Sequence, residues 1–143
     1  MTRILLLEDD HLQAQLIEEA IKRDLPSVEV NIISTELEFR EKITEFAAHP
    51  PDVIVLDIMV RWARPSRQKS LKPPGGYFRA GVRCLALLSE HRVTTPVIVF
   101  TVSDLSEAKT DIELWRKVEI ISKENHIQGL IKAIRKHILQ TPA

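Results

Sequence analysis

The sequence is poor in cysteine and in long apolar runs, and it has no net charge. Its single cysteine, Cys84, excludes an internal disulfide. The N-terminal apolar run, ILLL at 4–7, is too short for the core of a signal peptide, and no apolar stretch approaches the roughly 20 residues that cross a membrane. The sequence therefore predicts a cytoplasmic protein with no membrane segment.

What the chain does have is enough apolar surface for one domain. Of its 143 residues, 44% are hydrophobic, a composition that excludes disordered and fibrous classes. A domain of this size buries roughly two thirds of the surface of its unfolded chain. No internal repeat or change of composition marks a boundary, so residues 1–143 are expected to form a single domain.

The charges are unevenly distributed although they sum to zero. Residues 58–80 contain no acidic residue and six of the 20 Lys and Arg, whereas the rest of the chain contains all 20 Asp and Glu and is net acidic. The six cations are Arg61, Arg64, Arg67, Lys69, Lys72 and Arg79. This segment differs electrically from the rest of the chain.

Short apolar runs alternate with helical patterns along the sequence. The runs at 4–7, 53–56 and 97–100 are uniformly apolar, as in strands covered on both faces, and those at 28–33 and 118–121 suit less buried strands. Between and after them, apolar residues recur at helical spacing. The stripes are Leu12, Leu16, Ile17, Ala20, Ile21; Phe39, Ile43, Phe46, Ala47, entered through a capping box from Thr35 to Glu38; Val82, Leu85, Leu88; Leu105, Ala108, Ile112, Trp115; and Ile127, Leu130, Ile131, Ile134, Ile138.

Five β-α units in succession predict an α/β fold with a five-stranded parallel sheet and helices on both faces. Ligands of such sheets bind at the carboxyl ends of the strands. The residues that follow the strands are Glu8, Asp9 and Asp10; Asp57; Thr101; and Ser122 with Lys123. Carboxylates gathered there would repel each other without a cation, and oxygen ligands favour Mg²⁺. A hydroxyl and an ammonium beside that metal suit a phosphoryl group.

The segments LLLEDD, VIVLDIM, VIVFT and IISK, in this order and spacing, resemble the receiver domain of bacterial two-component response regulators. The resemblance covers nearly the whole chain. It implies a flavodoxin-like fold with strand order 2-1-3-4-5, a single receiver domain over 1–143 and an inserted loop at about 60–80. It also implies a signalling domain rather than an enzyme, although such a domain assists its own phosphorylation and dephosphorylation.

The resemblance also assigns roles to residues. Asp57 matches the phosphoacceptor, Thr101 the hydroxyl that bonds the phosphoryl group and Lys123 the ammonium that pairs with it. The implied Mg²⁺ ligands are Glu8, Asp9, Asp57 and the backbone carbonyl of Met59.

The partners implied are a sensor histidine kinase or a histidine phosphotransfer protein, and a downstream protein reached through a conformational switch. A homodimer through the fourth predicted helix, the fifth predicted strand and the fifth predicted helix is a further expectation from the resemblance. Only three residues follow Gln140, so output through protein contacts is expected. Nucleic acid is less favoured as a partner than protein.

The chain departs from the family pattern in four places. Glu124 stands where a proline commonly follows the lysine, Ile120 replaces an aromatic residue, and Val102 is bulkier than the usual neighbour of the hydroxyl. The fourth departure is the long basic loop at 60–80, with prolines and a Gly-Gly pair that exclude a regular helix. The loop is either a solvated flap or a docking element for an acidic protein or nucleic acid.

Three alternatives remain open from the sequence. Asp9 or Asp10 could simply cap the first helix. A degenerate receiver could serve as an unphosphorylated binding or dimerisation module. An aspartyl-nucleophile phosphatase is less favoured, because the haloacid dehalogenase type needs a second acid where this chain has Met59.

Overall fold

The structure, a computed structural model, describes residues 1–57, 80–101, 118–123 and 127–140. Ten elements lie in these ranges. They are β1 (Arg3–Leu7), α1 (His11–Asp24), β2 (Glu29–Ile33), α2 (Glu36–Glu41), α3 (Ile43–Ala48), β3 (Val53–Leu56), α4 (Ala80–Glu90), β4 (Val97–Thr101), β5 (Val118–Ser122) and α5 (Ile127–Gln140).

The five strands form one parallel sheet in the order β2-β1-β3-β4-β5, which confirms the predicted fold class and strand order. The uniformly apolar runs are the central strands: every residue of β3 and β4 is buried. The weaker runs are the edges β2 and β5, which are more exposed. Strands with apolar residues on both faces need cover on both faces, and the helices supply it.

Helices pack on both faces of the sheet and make two cores. Successive residues of β1, such as Leu5 and Leu6, face opposite sides of the sheet. On one side, Ile17 of α1 and Ile131 of α5 pack against the sheet, and on the other Phe39 of α2 and Cys84 of α4 do so. Cys84 is completely buried within this second core.

Helix α1 buries a different stripe from the predicted one. Ala14, Ile17 and Ile21 face the core, as does Ala20, but Leu12 and Leu16 are 66% and 50% exposed. At about 100° per residue, positions 12 and 16 lie about 170° and about 130° from the centre of the face defined by 14, 17 and 21. The prediction that both leucines belong to the buried stripe was therefore wrong.

The second predicted helix is interrupted. It forms α2 and α3, with Lys42 between them at a backbone conformation (φ −101°, ψ 2°) outside the helical range. The Thr35 hydroxyl accepts a hydrogen bond from the Glu38 backbone N–H at 3.2 Å, as a capping box requires. In a full capping box the Glu38 side chain would also accept a bond from the Thr35 backbone N–H. Here the Glu38 carboxylate pairs with Lys42 at 3.6 Å.

Several expectations fall outside the described residues. They are the helix at 105–115, the inserted loop at 60–80, and the residues Met59, Val102 and Glu124. The extent of the domain and the insertion therefore stay predictions. Over the described ranges, no helix has the length and apolar character needed to traverse a bilayer.

Candidate functional site

The candidate site is built at the carboxyl edge of the sheet, where parallel strands end together. Glu8 follows β1, Asp57 follows β3, Thr101 ends β4 and Lys123 follows β5. Backbone hydrogen bonds hold three of these residues in line with the strand ladders. They run from Glu8 N–H to Ile33 O (3.0 Å), from Asp57 N–H to Leu7 O (3.1 Å) and from Lys123 N–H to Thr101 O (2.9 Å).

Lys123 joins the two carboxylates of this edge. Its Nζ donates to Glu8 Oε2 at 2.7 Å and to Asp57 Oδ2 at 2.8 Å. Glu8 and Asp57 are buried, and the Lys123 side chain is only 10% exposed. The ammonium also lies 5.8 Å from the centre of the Phe100 ring, within cation–π range. One cation thus serves two buried carboxyl groups.

This arrangement changes the acid–base properties of both partners. Burial raises the pKa of Glu8 to about 7; the hydrogen bond from Lys123 opposes this rise, and the nearby charge of Asp57 adds to it. Burial works against the charge of Lys123, but its hydrogen bonds to Asp57 and Glu8 outweigh that effect and raise the Lys123 pKa. Around neutral pH, Glu8 is therefore close to its titration midpoint while Lys123 is charged.

The three consecutive acids after β1 have different environments. Asp10 caps α1, because its Oδ1 accepts hydrogen bonds from the backbone N–H groups of Leu12 (2.9 Å) and Gln13 (3.1 Å). Its own N–H donates to Glu8 Oε1 at 3.3 Å. Asp9 is partly buried between them. Of the two acids considered as helix caps, Asp10 is therefore the one that caps α1.

Thr101 lies next to this cluster in the sheet. It is fully buried at the end of β4 and pairs in register with Ser122 of β5. The structure thus brings Glu8, Asp57 and Lys123 into contact, with Thr101 on the neighbouring strand end. Met59, the remaining predicted site residue, is outside the described residues.

The donor set suits Mg²⁺ in its chemistry, since it consists of carboxylate oxygens without His or Cys. The positions of these side chains do not by themselves form a complete metal site. Within 1–57, 80–101, 118–123 and 127–140, no three His, Cys, Asp or Glu side chains form a group that could hold a metal ion. The position between Glu8 and Asp57 is taken by the Lys123 ammonium.

A second buried ion pair near this edge was missed from the sequence. Glu36, at the start of α2, is completely buried and receives Arg83 of α4 through Nη2 at 2.6 Å and Nε at 2.8 Å. Arg40 adds a bond at 3.1 Å. The spacing of Glu36 and Arg40 along one helix was a visible signal, whereas Arg83 lies 47 residues away and only the fold brings it there.

A histidine on the last helix contacts the edge strand of the sheet. His137 of α5 is half-buried, and its Nε2 lies 3.1 Å from Glu119 Oε2 on β5. This contact fastens the last helix to the edge strand.

Comparison with known proteins establishes the fold. No protein-family model and no curated protein matches the sequence. Among solved structures, the non-phosphorylated HemR receiver domain from Leptospira biflexa is 19% identical, with a TM-score of 0.74, and the match covers 100% of this chain and 98% of that one.

Two further structures give the same result. The receiver domain of Francisella response regulator 1452 is 20% identical (TM-score 0.71, 99% and 100% of the two chains). The signal receiver domain of a DNA-binding response regulator from Colwellia psychrerythraea 34H is 17% identical (TM-score 0.72, 98% and 100%). The chain thus has the receiver-domain fold over nearly its whole length.

Proposed function

We propose that this chain is a receiver that accepts a phosphoryl group on Asp57. The observation that supports this most directly is the contact of a buried lysine with a carboxylate at the end of a central strand: Lys123 Nζ lies 2.8 Å from Asp57 Oδ2. The ammonium that neutralises Asp57 before the reaction is suitably placed to neutralise a phosphoryl group on it afterwards.

The proposed reaction is a nucleophilic displacement at phosphorus. A carboxylate oxygen of Asp57 forms a bond to phosphorus, and the phosphorus–nitrogen bond of a phosphohistidine donor breaks. The electron pair of that bond goes to the imidazole nitrogen: a ring already protonated at its other nitrogen leaves as neutral imidazole, and an unprotonated ring takes a proton from solvent. Lys123 and the Thr101 hydroxyl would then bond the phosphoryl oxygens.

Mg²⁺ is the metal proposed for this reaction, where it would neutralise charge that builds up on the phosphoryl group. Glu8, Asp9 and Asp57 would hold it, with the backbone carbonyl of Met59 as a further ligand. Lys123 contacts two of these carboxylates through Glu8 Oε2 and Asp57 Oδ2, so a bound metal would share these carboxyl groups with the ammonium.

The proposed output is a shift between two packings. A phosphoryl group on Asp57 would draw Lys123 and Thr101 towards it and change the neighbouring surface, which includes β5 and α5. The proposed donors are a sensor histidine kinase or a histidine phosphotransfer protein. The receiving partner is a downstream protein or a second copy of the chain, and the single cysteine fits the reducing cytoplasm.

A second candidate is a receiver that binds partners without being phosphorylated. The observation that favours it is the missing three-carboxylate group among the described residues, together with a lysine that already compensates Asp57. An aspartyl phosphatase is less well supported, because Met59 replaces its second acid.

The test is to incubate the protein with acetyl phosphate and Mg²⁺ and to measure its intact mass. The expected result is one phosphoryl adduct, which is lost in Asp57→Asn and when Mg²⁺ is chelated. Asp52→Asn is the matched control, because Asp52 accepts a backbone bond from Arg3 (2.8 Å) at the opposite end of β3. No adduct in the parent would favour the unphosphorylated module, and an adduct that persists in Asp57→Asn would mean that another residue accepts the phosphoryl group.

A further inference from the structure

A cavity of about 360 Å³ lies on the α1 and α5 side of the sheet, next to the candidate site. Its apolar lining comes from α1, β4 and α5, and consists of Leu16, Ile17, Ala20, Phe100 and Ile127. Small-molecule sites in proteins have volumes from roughly 300 Å³ upwards and are mostly apolar, with few polar groups. This cavity has the size and lining of such a site.

The polar groups of the cavity carry an excess of positive charge. Arg23 and Lys123 line it together with one acid, Glu19. Glu19 accepts a hydrogen bond from the side-chain amide of Gln15 at 3.2 Å. Arg23 is exposed and has no ion-pair partner in the described part of the chain. A ligand with one negative charge would complement this lining.

We propose that the cavity binds a small amphipathic carboxylate. A single aromatic system or a short acyl chain packs on Phe100, Ile17 and Ala20, and the carboxylate pairs with Arg23. Neither the receiver fold nor phosphorylation of Asp57 requires such a ligand. The proposal therefore goes beyond the proposed function and can be tested without it.

Lys123 gives this cavity a route to the candidate site. Its side chain lines the cavity while its ammonium bonds Glu8 and Asp57. An ammonium has three N–H donors, and two of them are used by these carboxylates. A carboxylate in the cavity would attract the third N–H and so weaken the bonds of Lys123 to Glu8 and Asp57. By linkage, a change at Asp57 must then change the affinity for the ligand.

The test uses 1-naphthylacetate as the probe and its uncharged analogue 1-naphthylacetamide as the control, with binding measured by calorimetry. The expected result is binding of one naphthylacetate per chain, about tenfold weaker for the amide and for Arg23→Gln, since each loses a charge-assisted pair. Lys22→Gln is the matched control: it removes the same charge from the same helix, outside the cavity. Its affinity should equal that of the parent.

Two further variants extend the test. Ala20→Leu fills the apolar part of the cavity and should abolish binding, while Asp57→Asn, which leaves Lys123 with one carboxylate, should tighten it. No binding to the parent would overturn the proposal. Equal binding of acid and amide, unaffected by Arg23→Gln, would also overturn it and would leave an apolar surface suited to a partner's side chain. An unchanged affinity in Asp57→Asn would overturn the coupling through Lys123.

Discussion

At the residue scale, the site depends on one cation shared by two buried carboxylates. The strand-end pattern predicted that Glu8, Asp57 and Lys123 would lie at one edge, since parallel strands with covered faces end together. It could not predict which of three adjacent acids would cap α1, because Asp9 and Asp10 are equally good caps by residue type. In the structure α1 begins at His11, which places Asp10 at the N-cap position.

Replacing the shared cation, Lys123, should lower the free energy of unfolding. Lys123→Gln leaves Glu8 and Asp57 buried without a positive partner, and breaking such a pair costs about 3–5 kcal/mol. The cost should be smaller at pH 5 than at pH 8, because a carboxylate that has lost its cation is more readily protonated. Urea unfolding at the two pH values measures both effects. Lys132→Gln is the control, since Lys132 is exposed on α5; an equal cost in the two variants would contradict the account.

The raised pKa of Glu8 leads to a prediction of how the free energy of unfolding depends on pH. Because its pKa is raised from 4.5 to about 7 in the folded protein, the folded state binds a proton more tightly than the unfolded state between these values. The contribution of Glu8 is therefore fully present below pH 4.5 and is lost as the pH rises through 7. From pH 5 to pH 8 the loss is roughly 2–3 kcal/mol.

The corresponding experiment compares the parent with Glu8→Gln in metal-free buffer. The fall in unfolding free energy between pH 5 and pH 8 should be smaller in Glu8→Gln by that amount. Glu45→Gln, a change at an exposed carboxylate, should keep the fall seen in the parent. An identical pH dependence in all three proteins would contradict the proposed environment of Glu8.

At the element scale, the hydrophobic pattern predicts where helices lie, and ion pairs and caps determine where they end and how they pack. The pattern located α1, α4 and α5, but it did not show the break at Lys42 or the exposure of Leu12 and Leu16. Apolar residues recur at helical spacing on more than one face of α1, so the pattern alone could not select the buried one. The contact of α2 with α4 depends on side chains 47 residues apart, which no local pattern shows.

The buried pair of Glu36 and Arg83, between α2 and α4, should contribute more to the free energy of unfolding than an exposed pair. Arg83→Met leaves the fully buried Glu36 with Arg40 alone and should destabilise the protein by about 3 kcal/mol. In a double-mutant cycle with Glu36→Gln, the coupling energy should be about 2 kcal/mol. The exposed pair of Lys42 and Glu38 is the control and should couple by less than about 1 kcal/mol. Equal coupling in both cycles would refute the assignment.

The cap of α1 gives a test that separates stability from chemistry. Asp10→Ala should cost about 1 kcal/mol, while Asp10→Ser should recover most of that, because serine also caps helices. Phosphoryl adduct formation should be retained in both variants, since Asp10 acts as a cap. Loss of the adduct in the stable Asp10→Ser variant would move Asp10 from the cap into the reaction site.

At the scale of the whole molecule, a five-stranded parallel sheet with helices on both faces determines where chemistry can occur. Alternation alone predicted the parallel sheet, and the receiver resemblance predicted its order. The apolar runs also ranked the strands correctly, with β1, β3 and β4 in the centre. The inserted loop at 60–80 and the helix at 105–115 stay predictions.

The central claim is that Asp57 becomes the acyl phosphate, and residue-level mass spectrometry tests it most directly. After incubation with acetyl phosphate and Mg²⁺, borohydride reduction converts an aspartyl phosphate into homoserine, which peptide sequencing then locates. The predicted result is homoserine at position 57, with none there when the phosphodonor is omitted. Homoserine at Asp9 or Asp10 instead, or at no aspartate, would contradict the account.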